Sequence, residues 1–262
     1  MGMKALFFDI DGTLVSFNTH EIPVSTVAAL EQAHDSGVKI FISTGRPPMF
    51  INNIDAISHL IEGYITTNGA YCFCKDETIS LSAIDRKDVR EVLAICKNLD
   101  RACIVVGTNS RAMYNYKKHD ADFFKNLLNA PVFNENDDIE AVLKEPVLQL
   151  TPFIPEDEEQ LVQGDLNGVE MSRWCPYFFD ITAKGVTKAK GMDEIAHRFG
   201  FSLSDTMSFG DGGNDISMLQ AAGVGVAMGN ANDAVKEIAD YVTSTVDDNG
   251  IANALRHYGV IK

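Results

Sequence analysis

The sequence predicts an α/β protein built on a doubly wound parallel sheet. The first observation is a short, continuous apolar run at residues 5–8, which is typical of a strand buried on both faces of a parallel sheet. The second is the alternation of apolar strands with helical patterns up to residue 67. The third is the return of the same alternation from residue 188 to the last helix, over residues 249–257.

The individual elements follow from periodicity and from glycine and proline positions. Before the middle third we expect helices over residues 25–36 and 49–60, strands over 38–42 and 64–67, and a hairpin over 71–81. After it we expect helices over 188–199, 214–222, 232–239 and 249–257, and strands over 206–210, 224–228 and 241–242. Residues 82–182 mix short strands and helices with prolines, which predicts an inserted α+β module. The core would then comprise residues 1–81 and 183–262.

Length and composition narrow the class of partner. At 262 residues the chain is long enough for one large or two moderate domains. A net charge of −15 and a pI of about 4.7 argue against nucleic acid or an anionic membrane as partner. No apolar run approaches the roughly 18–20 residues of a membrane span, and the chain reaches Asp9 too early for a signal peptide. Five cysteines without a CxxC pair favour a reduced, cytoplasmic protein.

Two acids follow the first predicted strand directly. Asp9 and Asp11 stand at its carboxyl end, where open α/β sheets bind their ligands, and Gly12 permits a sharp turn. If the extended geometry continues, the two side chains point to the same side. Like charges held this close require a cation or a shared proton, and a hard divalent cation suits oxygen ligands. Taken alone, the segment would fit a solvated Asp-Gly turn nearly as well.

A second acidic segment, Gly210-Asp211-Gly212-Gly213-Asn214-Asp215, follows another apolar strand. Because parallel strands end at the same edge of the sheet, these acids can converge with Asp9 and Asp11 on one metal ion. Neither this loop nor Gly223–Gly225 gives GxGxxG at the start of a helix, and the P-loop pattern GxxxxGK[ST] does not occur.

With these residues in place, the sequence resembles the haloacid dehalogenase superfamily, specifically the Cof-type (class IIB) sugar phosphatases with a large C2B cap. Four motifs carry the resemblance in the family's order: DIDGT at residues 9–13, STGR at 43–46, GVTK at 185–188 and GDGGND at 210–215, followed by VGVAMGNA at 224–231. They cover the core, whereas the middle third matches in length and position only. The resemblance implies a HAD-like Rossmannoid core and an α+β cap that supplies substrate specificity.

The resemblance also implies roles for individual residues. Asp9 would attack phosphorus and become an aspartyl phosphate, while Asp11 would act as general acid and then as general base. Mg²⁺ would be held by Asp9, the Asp11 backbone carbonyl and Asp211, with Asp215 either binding it through water or bracing the loop. The residues that would hold the phosphate or the substrate are Thr44, Gly45, Arg46, Asn68, Lys188 and Asn214. The implied activity is a Mg²⁺-dependent phosphomonoester hydrolase acting on small cytosolic phosphates, most naturally sugar phosphates.

Several alternatives stay open from the sequence. Lys184 and Lys190 compete with Lys188, which the GVTK context favours. Arg46 could form a structural ion pair, and Asn68 could simply form a turn. In the middle third, the candidates for substrate contact are Arg173-Trp174-Cys175 and Gly107-Thr108-Asn109, although packing and turn formation would also explain them. The alternative functions are a phosphatase for pyridoxal phosphate or a nucleotide, a phosphomutase, and a non-catalytic metabolite-binding protein. The oligomeric state does not follow from the sequence.

Overall fold

The computed structural model of the protein describes residues 2–128, 133–162 and 166–262. Contacts between residues divide the chain into two units. The first comprises Met1–Gly45, Ile51–Leu81 and Thr187–Lys262, and the second comprises Arg46–Phe50 and Ser82–Val186. The sequence placed the return to the core at residue 183 and assigned residues 46–50 to the core. That the second unit serves as a substrate-specificity cap stays a prediction.

The chain begins in the first unit with alternating strands and a helix. The elements are β1 (Ala5–Phe8), α1 (Val24–Asp35), β2 (Lys39–Ser43), β3 (Ile61–Thr66), β4 (Tyr71–Cys74) and β5 (Glu77–Leu81). Strands β1, β2 and β3 are parallel, and the β4–β5 hairpin adds an antiparallel edge.

The second unit contains an antiparallel sheet with helices. Its elements are α2 (Arg86–Asn98), β6 (Cys103–Val106), β7 (Arg111–Tyr114), α3 (Lys118–Leu128), α4 (Ile139–Val142), β8 (Gln149–Pro152), β9 (Val169–Cys175) and β10 (Phe178–Ala183). The strand order is β7-β6-β8-β10-β9. Helix α2 follows Asp85, whose side chain caps the helix by accepting the backbone N–H of Lys87.

The chain then completes the first unit. The remaining elements are α5 (Lys188–Phe199), β11 (Thr206–Gly210), α6 (Ile216–Ala221), β12 (Val224–Ala227), α7 (Asp233–Ile238), β13 (Tyr241–Val242) and α8 (Gly250–His257). The full sheet has the order β13-β12-β11-β1-β2-β3-β4-β5, so β1 lies between β11 and β2 near the centre. The predicted α/β fold with a doubly wound, mainly parallel sheet is confirmed.

Both faces of this sheet are covered, which explains why β1 is apolar throughout. Leu6 and Phe8 pack on one face, in the cluster that also contains residues of α1 and α8. Ala5 and Phe7 pack on the opposite face, in the cluster that contains Met192 of α5. Because side chains alternate along a strand, the residue after Phe8 continues on the α5 face. That residue is Asp9.

The predicted helix over residues 49–60 is wrong. The segment instead forms two short 3-10 helices, Pro48–Phe50 and Asp55–Leu60. Asn53 lies between them with a φ of 63°, in the left-handed region, and so interrupts helical geometry. The Asn52-Asn53 pair was the sequence signal for this break.

Among the described residues, no helix combines the length and the apolar character needed to cross a membrane. All five cysteines are free thiols. Burial raises the pKa of the Cys72 thiol to about 11, which keeps that thiol protonated at neutral pH.

Candidate active site

Three carboxylates from distant parts of the chain meet at the carboxyl end of the parallel strands. Asp9 follows β1, whereas Asp211 and Asp215 follow β11, the neighbouring strand. One oxygen from each of the three carboxylates lies within 4.8 Å of the others. The strands carry them there because β1 and β11 run parallel in register, with Phe8 opposite Phe209. The structure thus brings together acids that are about two hundred residues apart in sequence.

Lys188 lies in the middle of this group. Its ammonium donates to Asp9 Oδ1 and to Asp215 Oδ1, each at 2.6 Å. The side chain is almost completely buried, with 1% of the residue exposed. Lys188 is the first residue of α5, and Thr187 caps that helix by accepting the N–H of Lys190. Lys184 and Lys190 are exposed, so Lys188 is the one of the three competing lysines that contacts the acids.

The electrostatics of the group reflect burial and crowding of like charges. Burial raises the pKa of Asp9 well above its usual value; Lys188 opposes this effect, while Asp215, Asp211 and Asp11 add to it. Burial, with Asp215 next in importance, raises the pKa of Asp211 to about 7. Burial would lower the pKa of Lys188, but Asp215 and Asp9 outweigh it and raise that pKa above its ordinary value. The lysine therefore keeps its charge without contact with water.

Asp215 also holds the loop that carries Asp211. Its Oδ2 accepts the backbone N–H groups of Asp211 and Gly212, each at 2.9 Å, while its Oδ1 accepts Lys188. The carboxylate thus braces the loop from inside. This arrangement supports the loop-bracing alternative for Asp215, although its oxygen also belongs to the group that could hold an ion.

Asp211 accepts hydrogen bonds from two residues to which the sequence assigned no role. Thr13 Oγ1 donates to Asp211 Oδ1 at 3.3 Å, and Asn230 Nδ2 donates to Asp211 Oδ2 at 3.4 Å and to the Gly12 carbonyl at 2.8 Å. Gly12 approaches so closely that a Cβ there would lie 2.2 Å from Asp211 Oδ2. Thr13 and Asn230 both lie inside the quoted motifs DIDGT and VGVAMGNA, so membership of a motif was the available signal.

A second group of polar residues lies beside the acids. The backbone N–H of Asn68 donates to the Thr44 carbonyl at 3.1 Å, and Asn214 Nδ2 donates to Asn68 Oδ1 at 2.9 Å. A Cβ on Gly45 would lie 3.2 Å from Asn68 Oδ1 and 3.4 Å from Asn214 Nδ2. Thr44, Gly45, Asn68 and Asn214 therefore form one cluster, and Asn214 joins it to the acids through its neighbour Asp215.

Asp11 and Arg46 are not among the residues that the contacts above join into these two groups. Strand β1 ends at Phe8, so the extended geometry that would align Asp11 with Asp9 does not continue. Asp11 is near enough for its charge to raise the pKa of both Asp9 and Asp211, but its side chain is not in the three-carboxylate group. Arg46 belongs to the second unit, where its Nη1 donates to the Phe50 carbonyl at 3.0 Å.

The candidate contact residues of the middle third are used within their own unit. Arg173 pairs with Glu159 at 2.5 Å and donates to the carbonyls of Ile154 and Cys175. Thr108 and the Asn109 N–H donate to the Glu145 carboxylate. The packing and turn explanations therefore account for these residues, while the side chain of Trp174 lies outside the described part of the structure.

The acid group fits a hard divalent cation. All of its donors are carboxylate oxygens, they are mutually close, and they are buried enough to gain from added positive charge. Lys188 offsets part of the negative charge of three neighbouring carboxylates, and a divalent ion would offset the remainder. Oxygen-only donors favour Mg²⁺ over zinc or copper.

The protein therefore has an α/β fold of the kind that many enzymes share. A group of carboxylates with a buried lysine lies at the carboxyl end of its central strands. A sequence profile of the haloacid dehalogenase-like hydrolases matches residues 6–255. The chain is 31% identical over 264 residues to YkrA of Bacillus subtilis (strain 168), with 100% of each chain covered. It is 30% identical over 264 residues to YcsE of the same organism, a 5-amino-6-(5-phospho-D-ribitylamino)uracil phosphatase, covering 98% of this chain and 96% of the relative.

Solved structures agree with the sequence comparisons. The sugar phosphatase BT4131, of haloacid dehalogenase subclass IIB, superposes with a TM-score of 0.91 and 50% sequence identity, covering 98% of this chain and 100% of that chain. The protein belongs to the haloacid dehalogenase-like hydrolases, in their Cof-type branch. The resemblance stated from four motifs is confirmed, and so is the enzyme class: a phosphatase of this superfamily.

Proposed function

We propose that the protein is a Mg²⁺-dependent phosphomonoesterase that hydrolyses small sugar phosphates through a phosphorylated Asp9. The observation that carries the proposal is the buried ammonium of Lys188 between Asp9 and Asp215, at 2.6 Å from each, beside a third carboxylate. A carboxylate attacks an anionic phosphate poorly unless positive charge lies next to it, and Lys188 supplies a fixed one.

In this mechanism a carboxylate oxygen of Asp9 attacks phosphorus, and the bond between phosphorus and the ester oxygen breaks. Asp11 gives its proton to the leaving alcohol. Asp11 then takes a proton from a water molecule that attacks the aspartyl phosphate, which releases inorganic phosphate and restores Asp9. Lys188 keeps its positive charge beside Asp9 in both steps. This charge offsets the negative charge of the phosphoryl group during its transfer.

The phosphoryl oxygens would be held by Thr44, the Gly45 N–H and the Asn214 amide, which lie in one cluster next to the acids. Phosphoryl transfer depends mainly on positioning and charge stabilisation. Thr44 and Gly45 directly follow β2, and Asn214 lies in the short 3-10 helix after β11. Mg²⁺, when bound by Asp9, Asp211 and the Asp11 carbonyl, would neutralise charge on the phosphate. Asp215 would brace the loop.

The choice of sugar phosphates is supported by the relatives. BT4131, described as a sugar phosphatase, shares 50% identity over 98% of this chain. YcsE, at 30% identity, provides a second candidate, the phosphate of a ribityl side chain on a uracil. A net charge of −15 does not favour anionic substrates at long range, so recognition would have to come from the local site.

The test is phosphate release by the purified protein in Mg²⁺ from a panel of hexose and pentose phosphates, the ribitylaminouracil phosphate, pyridoxal phosphate and a nucleoside monophosphate. We expect the highest kcat/KM among the sugar phosphates, and we expect Asp9→Asn to abolish turnover while the fold is kept. Near wild-type turnover in Asp9→Asn would contradict the assignment of Asp9 as the nucleophile. A rearranged phosphate ester in place of free phosphate would indicate a phosphomutase, and the absence of any turnover would indicate a binding protein.

A further inference from the structure

The turn after β3, residues Thr67 to Gly69, has an unusual backbone. Thr67, Asn68 and Gly69 have φ values of 51°, 56° and 103°, so three successive residues lie in the left-handed region. For Thr67 this is a strained conformation, because its side chain branches at Cβ. Its buried hydroxyl also has no hydrogen-bond partner among the residues that the structure describes. A strained backbone conformation persists only where the surrounding structure holds it in place, and such places are common at functional sites.

The surroundings of the turn are parts of the candidate active site. The Asn68 N–H donates to the carbonyl of Thr44, at the end of β2. Gly69 lies against Thr187, the capping residue that precedes Lys188, and a Cβ on Gly69 would lie 2.2 Å from the Thr187 carbonyl oxygen. The turn thus lies between the predicted phosphate-binding strand end and the helix that carries the lysine.

The side chain of Asn68 makes a contact that a simple turn does not require. An asparagine that only forms a turn bonds to its own neighbouring backbone, whereas Asn68 Oδ1 accepts Asn214 Nδ2, 146 residues away, at 2.9 Å. Asn214 is exposed, and without this bond its amide could rotate. The bond orients the amide of Asn214 next to Gly45 and uses one of the two N–H donors that Nδ2 carries.

We propose that Asn68 is a positioning residue that fixes the amide of Asn214 for the phosphoryl group and does not itself contact the leaving group. The proposal rests on the proposed phosphatase function and assigns Asn68 differently from a substrate-binding residue. A positioning residue acts through its partner, so its removal should have no effect once the partner is gone.

The experiment is a double-mutant cycle of wild type, Asn68→Gly, Asn214→Ala and the double variant. Glycine is chosen at position 68 because it also adopts a positive φ. The readouts are kcat and KM for p-nitrophenyl phosphate and for a hexose phosphate, together with the inhibition constant of orthovanadate. We expect each single variant to lose about tenfold in kcat with KM changed by less than about twofold. The double variant should lose no more than Asn214→Ala, and vanadate inhibition should weaken in parallel.

Additive losses in the double variant would overturn the proposal, as would a KM increase that occurs with the hexose phosphate and not with p-nitrophenyl phosphate. Either result would show that Asn68 touches the substrate directly. A third readout does not depend on turnover: the side-chain amide ¹⁵N–¹H signals of Asn214, assigned by their loss in Asn214→Ala. They should shift in Asn68→Gly, and unchanged signals refute the positioning role. If wild type hydrolyses no phosphate ester, the proposed function fails while this measurement still tests the Asn68–Asn214 contact.

Discussion

Lys188 is the residue on which the electrostatics of the site depend. Its charge is buried between Asp9 and Asp215, and these acids keep its pKa above the ordinary value although burial opposes them. Buried ion pairs of this kind add little net stability as pairs, but removing one partner leaves the other charges uncompensated. We therefore expect the lysine to matter for the fold of the metal-free protein and, under the proposed function, for the reaction.

We predict that Lys188→Met lowers kcat by at least ~10²-fold, as expected for the loss of one preorganised charge beside the reacting group. In the absence of divalent metal it should also lower the free energy of unfolding by about 3–5 kcal/mol. Steady-state kinetics and urea unfolding in a chelator measure the two effects. Lys190→Met is the matched control, because Lys190 is exposed on the same helix, and it should leave both unchanged. A Lys188→Met enzyme with normal kcat would show that the charge is not used.

At the scale of single residues, motif context favoured Lys188, and the structure shows that Lys188 is the one of the three lysines that contacts the acids. Lys184, Lys188 and Lys190 are equivalent by residue type, and burial and contact with the acids separate them. Asp11 shows the reverse case. Strand alternation placed it beside Asp9, but β1 ends at Phe8 and only Asp9 joins the carboxylate group. Where a strand stops depends on its hydrogen-bond partners, which local sequence does not specify.

Among the elements, the turn before β4 and the helix α5 approach each other closely at their backbones. Gly69 has a φ of 103°, and its Cα faces the carbonyl of Thr187, which caps α5. This contact fixes the start of α5 and therefore the position of Lys188. A side chain at residue 69 would have to push the helix or the turn away.

We predict that Gly69→Ala destabilises the protein by at least about 2 kcal/mol more than Gly200→Ala. Gly200 is the control, since its φ of 70° is also positive while no atom beyond its own neighbouring backbone lies within 4 Å of an added Cβ. Gly69→Ala should also reduce kcat, because Lys188 follows the displaced residue, whereas Gly200→Ala should not. Chemical unfolding and kinetics measure both properties. Equal destabilisation by the two substitutions would mean that the contact with Thr187 is not tight.

Elements with clear boundary signals were predicted well. The helix over residues 188–199 and the strands over 206–210 and 241–242 have the expected limits, and Thr187 and Gly200 mark the two ends of that helix. The predicted helix over residues 49–60 failed, because Asn53 adopts a left-handed φ that helical periodicity does not reveal. The predicted hairpin over residues 71–81 is present as β4 and β5.

For the molecule as a whole, the main consequence of the site is a local excess of negative charge in an already acidic protein. Burial and the neighbouring acids raise the pKa of Asp9 and Asp211, so ionising them together in the folded chain is costly. A cation that binds the folded site and not the unfolded chain offsets this cost and stabilises the protein by mass action.

We predict that Mg²⁺ raises the unfolding temperature, with a stabilisation of about 2.7 kcal/mol at a hundredfold excess over its Kd. Asp211→Asn should abolish most of this gain, whereas Asp35→Asn, which changes an exposed acid at the end of α1, should keep it. Differential scanning calorimetry with Mg²⁺ against Na⁺ at equal ionic strength makes the comparison. A gain that persists undiminished in Asp211→Asn would place the ion elsewhere.

The sequence by itself determined the fold class, the family and the motifs from which the site is built. Apolar strands that end in acids, such as Phe8-Asp9 and Gly210-Asp211, carry this information locally, because burial on both faces and chemistry at a strand end each require particular residue types. Only the tertiary structure decided which polar groups meet. The order of the strands sets Lys188 between Asp9 and Asp215 and Asn68 against Asn214, and such pairings join residues too far apart in the chain for any local pattern to specify them.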